Sequence, residues 1–247
     1  MNPIKKYYGL LPAAGLATRM RPFRYPKELL PVHYQFVTEN EYVRPKLLIE
    51  HSLEALRLAG VNHLYIVVPE WKPEIMRYLE DGEQFGHRIS YLYNSKALGL
   101  ADALLSGYPW LHDKNTCFAM PDTVFSPPTA FQNVIEELET KNADLVLGVF
   151  PTDEARHFGV VEFDEDGKVV NIEEKPLVPK VNNAWGIAAW NSRFWDFFKA
   201  ESENLPPGIS ITETFDKAAK SGLKVQCVYF PEGSYKDIGR INNISFK

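Results

Sequence analysis

The pattern that most restricts this chain is an alternation of two kinds of segment. Short apolar runs rich in β-branched and aromatic residues occur at Tyr7–Leu11, Leu64–Val68, Ile89–Tyr93, Cys117–Met120 and Leu145–Phe150, with amphipathic stretches between them. The runs read as strands and the stretches as helices. The clearest helix puts Ile49, Leu53, Leu56 and Gly60 on one face, with Gly60 as its stop. Further helices fit Pro73–Leu79, Leu100–Leu105 and Ala130–Thr140. Strands joined through helices imply crossover connections. We therefore expect an α/β fold: a Rossmann-like, mainly parallel (mixed) sheet flanked by helices.

After Phe150 the pattern changes. Val160–Phe163 and Lys168–Ile172 flank Asp164-Glu165-Asp166-Gly167, a hairpin signal that points to a β-hairpin and strand insertion in the second half. Ala184–Trp190 reads as a strand and Phe194–Ala200 as a helix. Ser210 and Glu213 have capping-box spacing before a helix to Lys220, and Val225–Phe230 reads as the last strand. Without repeats or a linker, residues 1–247 are expected to form a single domain, with halves of about 1–150 and about 151–247.

Charge and cysteine content narrow the partners. Lys and Arg total 27 against 32 Asp and Glu, a net charge of −5, which argues against nucleic acid or an anionic membrane as the main partner. No apolar run reaches the length of a membrane span. Lys5 and Lys6 ahead of an apolar stretch imitate an export signal, but Gly9 and Pro12 interrupt it. Cys117 and Cys227 both lie in apolar strands and read as reduced core residues, so a cytoplasmic location is expected.

Several chemistries have no motif here. There is no Gly-x-Ser-x-Gly elbow, Walker loop or Gly-x-Gly-x-x-Gly fingerprint, and no two of the six histidines lie close enough for a helical zinc pair. What remains are carboxylates, cations and backbone. The first strand runs into Pro12-Ala13-Ala14-Gly15, followed by Arg19, Arg21, Arg24 and Lys27. Small residues after a strand let backbone N–H groups approach an anion, and cations nearby hold a polyphosphate. A surface loop with solvated charges would carry the same residue types.

The order of the motifs goes further. Gly15-Leu16-Ala17-Thr18-Arg19, then Pro22, Pro26-Lys27 and Pro31-Val32, resembles the signature loop of the sugar-1-phosphate nucleotidylyltransferases. The glucose-1-phosphate thymidylyltransferases and UTP–glucose-1-phosphate uridylyltransferases are examples of that family. Leu98-Gly99-Leu100-Ala101-Asp102 resembles the family's nucleobase loop, and Pro121-Asp122 its metal carboxylate at a strand end. Phe158-Gly159-Val160-Val161-Glu162 and Glu173-Glu174-Lys175-Pro176 are similar to its sugar-phosphate half. Tyr235-Lys236-Asp237-Ile238-Gly239 is similar to the segment that supplies a second carboxylate.

The resemblance implies joining of a nucleoside triphosphate, a pyrimidine by preference, to a sugar 1-phosphate, giving an NDP-sugar and pyrophosphate. The first half would bind nucleotide and the second sugar phosphate. Because two polyanions meet, charge neutralisation and in-line placement carry the barrier, and an anionic nucleophile needs no general base. The backbone of Ala13, Ala14 and Gly15 would hold the nucleotide, while Arg19 and Lys27 grip its phosphates. Asp122 and Asp237 would ligate Mg²⁺. Lys175 would bind the sugar phosphate and Glu174 the sugar hydroxyls, beside Gly159 and Thr212. Turn-capping aspartates, an exposed Glu174–Lys175 pair and a helix-capping Thr212 are the alternatives that the residues alone leave open.

Five positions depart from the family pattern. Ala17 stands for a second glycine, Asn94 for a base-reading glutamine, and Ala97 for a proline near Gly99; Ala188 and Trp190 alter the aromatic positions of the sugar pocket. Residues His33–Pro45 read as a long connection. The chain reads as a short form without the family's C-terminal helical extension, so no regulatory nucleotide site of that kind is expected, and any homo-oligomer would use other surfaces. Transfer of CTP to a non-sugar phosphate such as phosphocholine, or a catalytically silent nucleotide-sugar sensor, are the rival readings.

Overall fold

The computed structural model describes residues 6–15, 25–36, 43–96, 98–203 and 210–238. In chain order the elements are β1 (Tyr7–Pro12), β2 (Pro31–Phe36), β3 (Val43–Leu47), α1 (Leu48–Leu58), β4 (His63–Val68), α2 (Pro73–Leu79), β5 (Arg88–Tyr93), α3 (Leu100–Leu105), α4 (Tyr108–Leu111), β6 (Asn115–Ala119), β7 (Thr123–Ser126), α5 (Ala130–Thr140) and β8 (Leu145–Pro151). Then follow β9 (Gly159–Phe163), β10 (Val169–Glu174), β11 (Asn183–Trp190), α6 (Ser192–Glu203), α7 (Ile211–Lys220), β12 (Val225–Tyr229) and β13 (Ser234–Asp237).

Seven strands form one sheet in the order β12-β8-β11-β6-β1-β4-β5. Neighbouring strands are parallel except β11, which runs antiparallel to both β6 and β8. The mainly parallel, mixed α/β sheet expected from the alternation is therefore the observed one. Its central strands are apolar on both faces, because helices cover both. Leu11, Cys117 and Val146 join α1, α2 and α5 in one core cluster, through Ile49, Leu53, Ile75, Val134 and their neighbours. Their strand neighbours Leu10, Phe118 and Leu147 face the other cluster, built on Leu104, Phe194, Trp195, Phe198 and Phe215 of α3, α6 and α7. Both cysteines are buried and free. Burial raises the Cys117 thiol and pushes Cys227 up to about 12. Among the described residues no helix is long and apolar enough to cross a membrane.

The expected hairpin is β9–β10, antiparallel, with Gly167 at φ +77 in its turn. Asp164 shapes that turn by accepting from the N–H groups of Asp166 and Lys168. Two features differ from the sequence reading. The described residues of the stretch read as a long connection at His33–Pro45 belong to an antiparallel ribbon, in which β2 pairs β3. A second ribbon follows the strand read as the last one: β13 pairs antiparallel with β7. Both ribbons are short and stand outside the main sheet, so neither has the long apolar run that marks the central strands. Trp190 and Ala188, read as sugar-pocket positions, are fully buried, and Trp190 packs in the core against Phe194 and Trp195.

Candidate active site

The sheet order creates one crevice. From β1 the chain proceeds to β4 and β5 on one side, then returns to β6 on the other. Ligands in open α/β sheets bind outside the carboxyl ends of the strands at such a reversal. Ala13, Ala14 and Gly15 leave the end of β1 there, and Pro121-Asp122 leaves the end of β6.

Ala13 and Ala14 are buried, whereas Gly15 is exposed and a Cβ there would meet nothing within 4 Å. The Ala13 N–H donates to Val67 O at 2.8 Å, because the pairing of β1 with β4 continues one residue beyond the strand. Its carbonyl accepts from Lys72 Nζ at 2.9 Å. This corrects the expectation for Ala13, whose N–H is committed to the sheet, and leaves the buried Ala14 and the exposed Gly15 as the remaining backbone of the turn. Arg19 and Ala17 lie outside the described residues.

Lys27 opens a 3-10 turn, Lys27–Leu29, and forms an ion pair with Asp122 in which both side chains are largely buried. Asp237 reaches the same place through the β7–β13 ribbon. It lies opposite Thr123, and Ile238 N donates to Asp122 O at 3.3 Å. Two acids 115 positions apart thus meet across adjacent strands. Both act on the same groups. Burial opposes the Lys27 charge, but Asp122, Glu28 and Asp237 outweigh it and hold the ammonium above its ordinary value. Burial, then Asp122 and Asp237, raise the Tyr235 phenol. The Tyr235 ring packs on Gly186 of β11, where a Cβ would lie 2.4 Å from Tyr235 Cδ2.

Beside this cluster lies a buried ion pair, Lys72 Nζ to Glu28 Oε1 at 2.6 Å. Burial, opposed by Lys72, keeps the Glu28 carboxyl above the usual carboxylate range. Asp122 Oδ1 is buried and no described residue gives it a hydrogen bond. Nor do the described residues contain a group of three or more His, Cys, Asp or Glu able to hold a metal. A pair of carboxylates with an unused buried oxygen suits Mg²⁺, which commonly takes one or two carboxylates and completes its shell with phosphate oxygens and water.

On the second-half side, a cavity of about 240 Å³ is lined by Thr152, Glu154, Phe158, Tyr235, Lys236 and Asp237. Lys175 is tied to its wall, since Lys175 N donates to Phe158 O at 2.9 Å. Its backbone is left-handed, at φ +49, and its exposed ammonium pairs with Glu174. Gly159 is closely packed for a reason the sequence did not show. A Cβ there would lie 2.2 Å from Trp185 Nε1 and 2.8 Å from Thr212 Cγ2. The Trp185 indole donates to Thr212 Oγ1 at 3.1 Å, and Thr212 is buried. The closest approach to Gly159 is therefore an indole of the protein itself, and the Thr212 hydroxyl is engaged by that indole. The capping alternative falls to Ser210, whose hydroxyl accepts from Thr212 N at 3.2 Å.

At the segment read as a nucleobase loop, Asn94 is buried and its carboxamide is used by the protein itself. Nδ2 donates to Asp102 Oδ2 at 2.8 Å and to Ser106 Oγ at 3.0 Å, while Oδ1 accepts from Lys96 N at 3.1 Å. Reading a base with this side chain would require exchanging those bonds. Gly99 lies at φ +124 ahead of α3, a conformation that favours glycine.

Sequence reasoning missed Glu28, Lys72 and Trp185. Lys72 carried a signal: it immediately precedes Pro73 at a helix start, where a cation opposes the helix dipole and calls for a partner. Gly186 within an apolar strand likewise marks a close approach, here by Tyr235.

Known proteins resemble this chain along most of its length. A glucose-1-phosphate thymidylyltransferase of Mycolicibacterium smegmatis is 31% identical over 209 residues, 83% of this chain and 68% of that protein. One from Streptomyces griseus is 28% identical over 238 residues, 95% of this chain and 63% of its own length. One from Neisseria gonorrhoeae is 33% identical over 182 residues, 72% of this chain and 58% of its length. The chain thus spans under two thirds of the length of several curated relatives it matches. Among solved structures, a Bacillus anthracis protein assigned as a glucose-1-phosphate thymidylyltransferase, in complex with sucrose, superposes with a TM-score of 0.82. It is 23% identical, and the match covers 96% of this chain and 92% of that one. A UDP-glucose pyrophosphorylase complexed with UDP-glucose gives 0.77 at 20% identity, covering 97% and 95%. The family model for nucleotidyl transferases matches residues 9–245, from β1 past the second carboxylate. The chain belongs to the nucleotidyl transferase family.

Proposed function

We propose that this protein joins a nucleoside triphosphate, a pyrimidine by preference, to a sugar 1-phosphate, releasing pyrophosphate and forming an NDP-sugar. The observation that carries the reading is the meeting of Lys27, Asp122 and Asp237, drawn from three distant parts of the chain, at the crevice beyond β1 and β6. The names of the relatives support the substrate classes.

The acceptor's phosphate is already an anion near neutral pH, so the protein needs no base to activate it. Its task is to bring two polyanions together and to neutralise the charge that builds on the leaving pyrophosphate. Lys27 stays protonated well into alkaline solution and supplies fixed positive charge beside the α-phosphate. The backbone of Ala14 and Gly15 lets the triphosphate approach closely, with Arg19 as its second cation. Lys175 receives the sugar phosphate, and Glu174, its ion-pair partner, takes sugar hydroxyls. Asn94 shapes the base pocket through the loop it fastens, and Trp185 bounds the acceptor side next to Gly159 and Thr212. Asp122 and Asp237 would hold Mg²⁺, which when bound supplies further neutralisation of phosphate charge.

The test is a panel of triphosphates (dTTP, UTP, CTP, ATP, GTP) against sugar 1-phosphates and phosphocholine, with pyrophosphate release as readout. Turnover with a pyrimidine triphosphate and a sugar 1-phosphate is the expected result. Turnover with phosphocholine alone, or binding without turnover on every pair, contradicts the proposal in favour of the cytidylyltransferase or the sensor.

A further inference from the structure

Lys72 stands in an expensive position. It is 4% exposed and is the residue immediately before the first turn of α2, to which its side chain makes no hydrogen bond. Its ammonium makes two contacts. One goes to Ala13 O, at the first residue of the turn leaving β1; the other goes to Glu28 Oε1, on the residue after Lys27. No single element needs both contacts, because β1 is already held by β4 and β6, and the Lys27–Leu29 turn closes with its own backbone bond from Leu30 N to Lys27 O. What the two contacts share is the crevice. One fixes where the turn Ala13-Ala14-Gly15 starts, and the other fixes the backbone that carries Lys27. Glu28 in turn faces Lys27, Lys72 and Asp122, so it sits within the charge cluster.

Resting on the transferase reading, we propose that Lys72 is a positioning residue: by holding the Ala13 carbonyl and Glu28 at once, it sets the triphosphate-binding turn in register with Lys27. Lys72 touches no substrate. It acts by fixing the spacing between a backbone anion site and a cation that must engage the same triphosphate. Loss of that spacing weakens the triphosphate contacts and leaves the acceptor contacts, on the far side of Asp237, as they were.

The obvious variant, Lys72→Met, strands a buried Glu28 and is expected to lower the melting midpoint. The decisive variant is therefore Lys72→Met combined with Glu28→Gln, which exchanges the buried pair for neutral groups of similar size. It is expected to regain the wild-type midpoint, since such exchanges are often close to neutral. Two readouts follow on wild type and double variant: affinity for UTP and dTTP by calorimetry, and steady-state kinetics with the best substrate pair. The double variant is expected to bind triphosphate about tenfold or more weakly and to lose kcat/KM for it in proportion, while KM for the sugar phosphate stays within about twofold. A double variant with the wild-type midpoint and unchanged triphosphate affinity overturns the proposal. So does one that fails to regain the midpoint, because Lys72 would then serve the fold itself. Wild-type turnover judges the transferase reading by itself; the ratio between wild type and double variant judges Lys72.

Discussion

Lys175 offers a way to separate chemistry from stability at one position. A non-glycine residue at φ +49 carries left-handed strain of about 1–2 kcal/mol. Glycine removes that strain but forfeits about 0.5–1 kcal/mol through its greater freedom when unfolded. The pair with Glu174 is exposed on the lysine side and contributes at most about 0.5 kcal/mol. Lys175→Gly is therefore expected to lie within about 1 kcal/mol of wild type, whereas Lys175→Ala keeps the strain and loses the pair. Urea unfolding should place the glycine variant above the alanine variant by about 0.5–1 kcal/mol with equal m-values. Both variants lack the ammonium that the proposed function assigns to the sugar phosphate. A charge-assisted contact is worth about 1.5–3 kcal/mol, so pyrophosphate release should fall about 10- to 100-fold in both. An alanine variant as stable as the glycine variant refutes the strain reading. Near-normal turnover in either variant refutes the role given to Lys175.

Two further perturbations follow from the structure. Gly186→Ala places a Cβ against the Tyr235 ring, which is held two residues before Asp237. It should cost about 1–3 kcal/mol by overpacking and lower turnover by displacing Asp237; unchanged melting and activity would contradict the packing. His51 is bonded to His33 at 3.1 Å, and burial, then Lys46 and His33, opposed by Glu54 and Glu50, pull its imidazole down to about 4. The unfolded chain takes up a proton near pH 6.5 that the folded one refuses until about 4, so stability falls as pH drops through that window. Allowing for partial exposure, the loss is about 1–2 kcal/mol. Urea midpoints of wild type and His51→Gln at pH 7.5 and 4.5 should show the shallower decline in the variant, and parallel declines would refute it.

The central sheet was legible because each of its strands is a local event: a short apolar run, bounded by turn residues and buried on both faces. The β7–β13 ribbon was not legible in that way. Thr123–Ser126 and Ser234–Asp237 are four-residue strands that pair across more than a hundred positions, and nothing local records such a pairing. The meeting of Asp122 with Asp237 was reached through motif resemblance, and the ribbon supplies its physical cause. The acceptor side was read least completely. Gly159 is a glycine next to an indole, and only the fold brings Trp185 of β11 and Thr212 of α7 against it. Asn94 illustrates a third case: an amide side chain looks the same in sequence whether it faces a ligand or ties its own loop, as it does here to Asp102 and Ser106.

Direct metal binding tests the convergence of the two acids more sharply than any rate. Mn²⁺, as a paramagnetic stand-in for Mg²⁺, can be titrated by electron paramagnetic resonance into wild type, Asp122→Asn, Asp237→Asn and the double variant, each with a non-hydrolysable triphosphate. Shared ligation predicts one site in wild type, weakened about tenfold or more by either single change, with the double variant losing less than the two single losses combined. Unchanged Mn²⁺ affinity in Asp237→Asn, or fully independent losses from the two changes, would show that these carboxylates do not serve one ion.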